Sequence, residues 1–106
     1  MVEQPPFPLR EQWIREQPAY RFTLQLFGTR SEDAVRNYAD RFKLEGDVAY
    51  FVRDLKGSDW YTLIYGSYPD RAAAEAAVAK LPAEIRKAKP WPRSLKSVHA
   101  SIREVQ

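Results

Sequence analysis

A strand pattern, a glycine and a helix cap follow one another twice in this chain, and a duplicated β-α unit leaves few folds open. Thr23-Leu24-Gln25-Leu26 matches Thr62-Leu63-Ile64-Tyr65 at an offset of 39, Gly28 matches Gly66 at 38, and Ser31 matches Asp70 at 39. The two halves therefore correspond with a one-residue slip at the glycine. In the first half Tyr20, Phe22, Leu24 and Leu26 alternate with Arg21, Thr23 and Gln25, the pattern of a half-buried strand. Ser31 can cap a helix over about 32–43, with Glu32 and Asp33 in its first turn and Val35, Tyr38, Ala39 and Phe42 at helical spacing.

Gly46-Asp47 breaks that helix, and Val48 to Arg53 is rich in β-branched and aromatic residues, which predicts a second strand. Asp54 to Ser58 supplies a turn, and Trp60 to Tyr65 completes a hairpin. Asp70 caps a second helix over 71–81, whose apolar stripe is Ala74, Ala77, Val78 and Leu81 and whose stop is Pro82. Residues 83–88 suit a further short helix. Pro90-Trp91-Pro92-Arg93 is held extended, and Leu95, Val98, His99 and Ile102 have the spacing of a closing helix. The order is βαββαβ, an α+β fold with one antiparallel four-stranded sheet, both repeat helices on one face and an extra C-terminal helix. The stretch 1–18, with four of the eight prolines, reads as a Pro-rich linker, and 19–106 as the domain. Within the linker, Glu11 to Glu16 suits a short helical turn whose Trp13 and Ile14 pack on the domain.

Helices on one face leave the other face bare. Carrying the facing rule from the first half to the second puts Tyr61, Leu63 and Tyr65 in the core. Trp60, Thr62 and Ile64 then share the open face with Thr23 and Gln25. An indole and an aliphatic side chain beside an amide form a platform for flat polymers, because sugar rings and bases both stack on indole. The alternative is that the terminal segments fold back over this face and make Trp60 a core residue.

Composition narrows the chemistry further. With 17 Lys plus Arg against 14 Asp plus Glu the net charge is +3, far from the dense basic surface of a dedicated DNA binder. No Cys is present, which removes disulfides, thiol nucleophiles and thiolate metal sites; the single His99 has no second imidazole to share a metal. No cofactor or metal is expected. The sequence has no apolar run of membrane-spanning length, and Met1 to Pro6 lacks the basic-then-apolar pattern of a signal peptide. Glu32 with Asp33 reads as helix capping and Asp54 with Asp59 as turn residues, rather than as acid-base pairs for glycoside cleavage.

The run Tyr20 to Leu26, then Trp60 to Tyr68, then Leu81-Pro82-Ala83-Glu84-Ile85 with Lys89-Pro90-Trp91, resembles the SPOR domain family, in particular its DamX-type branch found in bacterial cell-division proteins. The resemblance extends from about Trp13 to Ile102. It implies a ferredoxin-like module without enzymatic activity that binds peptidoglycan, favouring glycan strands stripped of stem peptides at the division septum. It also implies a periplasmic domain, a parent protein anchored in the inner membrane by a segment outside this chain, other division proteins as partners, and no nucleic acid. On this chain the family's binding glutamine falls on Gln25, its strand-three tryptophan on Trp60 and its Pro-Trp tryptophan on Trp91. Thr29 stands where DamX-type sequences often carry serine, and Thr23 and Ile64 complete the expected site. The competing reading is an RNA-binding domain of the RRM type, which shares the topology; strand three does not fit the RRM aromatic signature.

Overall fold

The computed structural model describes residues 10–42 and 47–102. The elements are α1 (Glu11–Glu16), β1 (Phe22–Thr29), α2 (Glu32–Arg41), β2 (Val48–Leu55), β3 (Ser58–Tyr68), α3 (Arg71–Val78), α4 (Ala83–Lys87), β4 (Trp91–Ser94) and α5 (Leu95–Ser101). The strands form one antiparallel sheet in the order β2-β3-β1-β4, the ferredoxin-like arrangement expected for βαββαβ. The prolines at 5, 6 and 8 and the helix-breaking Gly46 lie outside the described residues.

Local chemistry explains the boundaries. Ser31 Oγ accepts from the Ala34 N–H at 3.2 Å and Asp70 Oδ1 from the Ala73 N–H at 2.8 Å, so the two duplicated caps act alike in both halves. Lys56 and Gly57 both have positive φ, the backbone a tight hairpin turn needs to follow the twist of β2 and β3. Helix α3 stops at Val78, earlier than the apolar stripe suggests; the Lys80 and Leu81 N–H groups instead make tight i→i−3 bonds that drop Leu81 into the core. Pro92 is accommodated because β4 is an edge strand.

The sheet separates two cores. On one face Leu24, Leu26, Val48, Tyr50 and Leu63 pack with Val35 and Ala39 of α2, Ala74 of α3 and Ile85 of α4. On the other, Ala49, Phe51 and Ile64 pack with Ile14 of α1 and with Leu95, Val98 and Ile102 of and after α5. The expectation of a bare second face is therefore corrected. The two repeat helices do lie on one face, but α1 and α5 cover part of the other, because Trp13-Ile14 and the Leu95/Val98/Ile102 stripe bury their apolar surface against Ala49, Phe51 and Ile64. The two covering helices are tied together by His99, whose Nε2–H donates to the Ile14 carbonyl at 2.8 Å. Among the described residues no helix is long and apolar enough to cross a membrane.

Candidate functional site

Strand facing follows the alternation through β3. Tyr61, Leu63 and Tyr65 turn toward the α2–α3 layer, and Ile64 turns away from it. In β1 the rule holds only to Gln25. The register runs Gln25 to Ile64 and then Phe27 to Leu63, so β1 carries one extra residue at Leu26, a bulge that puts Leu26 and Phe27 both on the helix side. A compensating irregularity lies on β3, where the register steps from Tyr65 to Tyr68 around Gly66 with its φ of 81°. The one-residue slip between the repeat halves sits at these two places.

The bulge decides the composition of the site. Beyond it Gly28 takes the outward position, and the Trp60 indole lies across it so closely that a Cβ there would stand 2.7 Å from Trp60 Nε1. Only glycine leaves room for the ring to rest on β1. Arg30 sits over the same indole, 5.6 Å from the ring centroid. Three residues back, about 10 Å along a strand, Gln25 faces the same way and pairs with Trp91 of β4. Trp91 is 48% exposed, with Tyr20 one of the two large hydrophobic side chains most open to solvent among the described residues. Gln25, Gly28, Lys89 and Trp91 line an open cleft of about 120 Å³.

Three of the expected residues thus lie on the uncovered part of this face, Gln25 and Trp91 at the cleft and Trp60 on Gly28 at its side, and three do not. Ile64 is fully buried beneath α1 and α5 and serves packing. Thr23 is also fully buried, and its hydroxyl donates to the Tyr65 carbonyl at 3.2 Å, beside the β3 irregularity. Thr29 pairs with Tyr61 and so falls on the opposite face, where its Oγ1 accepts from the Ser31 N–H at 3.2 Å. It helps start α2 and does not reach the cleft.

The sequence reading missed Arg93. It follows Trp91 by two residues on an extended strand, so period-two alternation was the signal that put both on one face. Its Nη1 donates to Gln25 Oε1 at 2.8 Å, its Nε to Ser97 Oγ at 3.0 Å, and its Nη2 to the Ser97 carbonyl at 3.3 Å and to Ser101 Oγ. Its guanidinium carbon stands 5.8 Å from the Phe51 ring centroid and 6.0 Å from that of Trp91. Burial, and secondarily the like charge of Arg53, holds its pKa below the usual arginine value.

Glu32 is engaged structurally. Tyr50 Oη donates to Glu32 Oε2 at 2.8 Å, and Arg10 Nη1 donates to the same carboxylate at 3.3 Å, which ties α1, α2 and β2 together. Asp54 and Asp59 pair across the hairpin end. Among the described residues no group of acidic and histidine side chains is placed to hold a metal ion.

Comparison with known proteins agrees with this architecture. The family model described as "SPOR domain" matches residues 18–94. Cell division protein DamX of Serratia marcescens is 32% identical over 91 residues, covering 86% of this chain and 42% of that protein. The chain thus spans less than half the length of this relative, and on the family match, which covers all four strands, it belongs to the SPOR domain family.

Proposed function

We propose that this chain is a non-catalytic peptidoglycan-binding module that recognises glycan strands stripped of their stem peptides at the division septum. The observation that carries this reading is the grouping of Trp60, Gln25 and Trp91 on the part of the sheet face that α1 and α5 leave uncovered. Two indoles offer stacking surfaces for sugar rings, and the amide between them reaches polar substituents. The family supports peptidoglycan as the polymer, and the DamX relative supports a role in cell division with other division proteins as partners. A periplasmic domain, tethered through a segment outside this chain, follows from the same reading.

The test is co-sedimentation with purified sacculi, with and without prior amidase digestion. Binding that rises after amidase treatment and responds weakly to salt is the expected result. A steep loss with salt, together with binding to single-stranded RNA, would replace it with the RRM-type reading, because counterion release dominates nucleic-acid affinity.

A further inference from the structure

The two helices that cover the second sheet face are short. Helix α1 has six residues and α5 seven, both below the roughly 12–15 that an isolated helix needs in water, so each is helical because it is docked. Helix α5 has a local start, with Ser94 Oγ accepting from the Ser97 N–H at 3.2 Å. Helix α1 has no such side-chain cap. It is held by contacts to other elements. Ile14 is fully buried in one cluster with Leu95, Val98 and Ile102, and its carbonyl accepts the His99 Nε2–H at 2.8 Å. Glu11 Oε2 accepts from the Val52 N–H of the edge strand β2 at 3.0 Å, and Arg10 Nη1 donates to Glu32 Oε2 at 3.3 Å and to Tyr50 Oη at 3.1 Å. Without these contacts α1 does not persist as a helix, so it has two states, docked helix and undocked coil.

From α1 an unbroken series of contacts runs to Gln25. Ser97 Oγ donates its proton to the Ser94 carbonyl at 2.7 Å and Ser101 Oγ to the Ser97 carbonyl at 3.0 Å, so both hydroxyls turn lone pairs toward Arg93. Arg93 Nε donates to Ser97 Oγ at 3.0 Å, and Nη2 to the Ser97 carbonyl at 3.3 Å and to Ser101 Oγ. These partners are neutral oxygens of α5. The bond from Nη1 to Gln25 Oε1 at 2.8 Å leaves that helix for β1. Gln25 lines the cleft beside Trp91, and Arg93 reaches the cleft only through it. The reverse orientation of the amide would set its NH₂ against the guanidinium, donor against donor, so Nε2 is the end left for the cleft. The amide thus depends on Arg93, Arg93 on α5, and α5 on α1 through His99 and the shared apolar cluster.

We propose that α1 is a conformational strap: its docking fixes α5 and, through Ser97, Ser101 and Arg93, sets the orientation of the Gln25 amide. When α1 undocks, α5 loses the Ile14 side chain and the His99 bond, the guanidinium loses its fixed acceptors, and the amide is released. The residues that line the cleft stay the same, while the fraction of molecules with Gln25 in place falls. Two helices outside residues 18–94, the part matched by the family model, thereby control a residue inside it. The consequence for affinity rests on the glycan-binding reading; the coupling of α1 to Gln25 does not. Linkage makes the coupling reciprocal, so a ligand that holds Gln25 in place favours docked α1.

The experiment is native-state hydrogen exchange, followed by NMR on the unmodified domain in rising urea below its global unfolding. The Val52 N–H reports the docking of α1, because its partner is Glu11, and the Arg93 Nε–H reports the anchor on α5. Both should lose protection in one step, ahead of the amides of the β1–β3 ladder. Opening of Val52 in a step that leaves the Arg93 Nε–H protected with the ladder overturns the strap. Glu11→Ala, whose lost bonds are to Arg10 and Val52 alone, supplies a second measurement and should speed Arg93 Nε–H exchange by at least about tenfold. An unchanged Arg93 rate in that variant, with the Ile14 N–H exchanging faster, also overturns it. Co-sedimentation of Glu11→Ala with amidase-treated sacculi separates the two claims. Faster Arg93 exchange with weaker binding supports both, whereas faster exchange with full binding keeps the strap and removes Gln25 from the ligand site. Because the urea series needs no variant, the proposal stays falsifiable even if Glu11→Ala fails to fold.

Discussion

The two faces of the sheet are both apolar at their centres and differ at their margins. On the α2–α3 face the packing continues outward, with Phe27, Tyr38 and Phe42 forming a run of rings, the first two stacked at 4.6 Å and the second pair at 4.8 Å. On the α1–α5 face the cover ends past Phe51 and Ile64, and the margin there is made of Trp60, Gln25, Trp91 and arginines. A sheet face can thus be closed at its centre and open at its edge: two short helices cover Phe51 and Ile64 and leave Trp91 exposed beside Gln25.

That comparison is broken or sharpened first by stability. Leu63 and Ile64 are adjacent in β3, fully buried, and point to opposite faces. Each truncated to Ala should cost about 2–5 kcal/mol in denaturant unfolding. If Ile64→Ala costs under ~1 kcal/mol, a cost below the range for a packed core site, α1 and α5 do not seal their face in solution. Next comes Trp60→Ala, which should weaken glycan binding by about 1–3 kcal/mol, the scale of lost stacking in polymer grooves. Loss of cooperative unfolding with normal binding by the folded fraction would make Trp60 a core residue after all. Gly28→Ala probes the same indole from beneath. Its Cβ would displace the ring, so binding should fall while stability changes by about 1 kcal/mol, the low end for overpacking, since a half-buried ring can swing outward.

The smallest effect belongs to the closed face and emerges at high pH. Burial raises the pKa of Tyr38, Tyr50 and Tyr68 above the ordinary tyrosine value of 10.0; for Tyr50 the hydrogen bond to Arg36 opposes the rise and that to Glu32 adds to it. The folded state holds these protons more tightly than the unfolded chain does. Their contribution is complete below about pH 10, the unfolded value, and is lost as the pH climbs through the folded-state values. Unfolding midpoints should fall above about pH 10 and fall less in Tyr50→Phe.

The sequence made the topology legible because its signals are local. The duplicated caps at Ser31 and Asp70, the Lys56-Gly57 turn and the alternation of β3 each act within a few residues, and each is present as expected. The features that were not legible depend on contacts distant in the chain. The slip at Gly28 marked the place of the bulge at Leu26 in the sequence but not its consequence, which depends on pairing with β3 and turns Thr29 to the helix side and Gly28 outward. Burial of Ile64 needs α1 and α5, about 50 residues before it and 31 to 37 after it, to meet on one face. Arg93 was legible in principle from Trp91-Pro92-Arg93, but its partnership with Gln25 spans 68 positions.

The claim that Gln25 serves a ligand rather than the fold is tested most directly by Gln25→Glu, read by thermal unfolding and by sacculus co-sedimentation on the same preparation. Glutamate keeps the acceptor that Arg93 Nη1 reaches at 2.8 Å and gives that arginine a charge partner, so the midpoint of unfolding should hold or rise. It also removes both outward N–H donors and adds a negative charge to the cleft, so binding to amidase-treated sacculi should fall to background. Binding within about twofold of the unmodified domain, a difference of under 1 kcal/mol, with folding intact, would contradict the account and move the ligand away from β1.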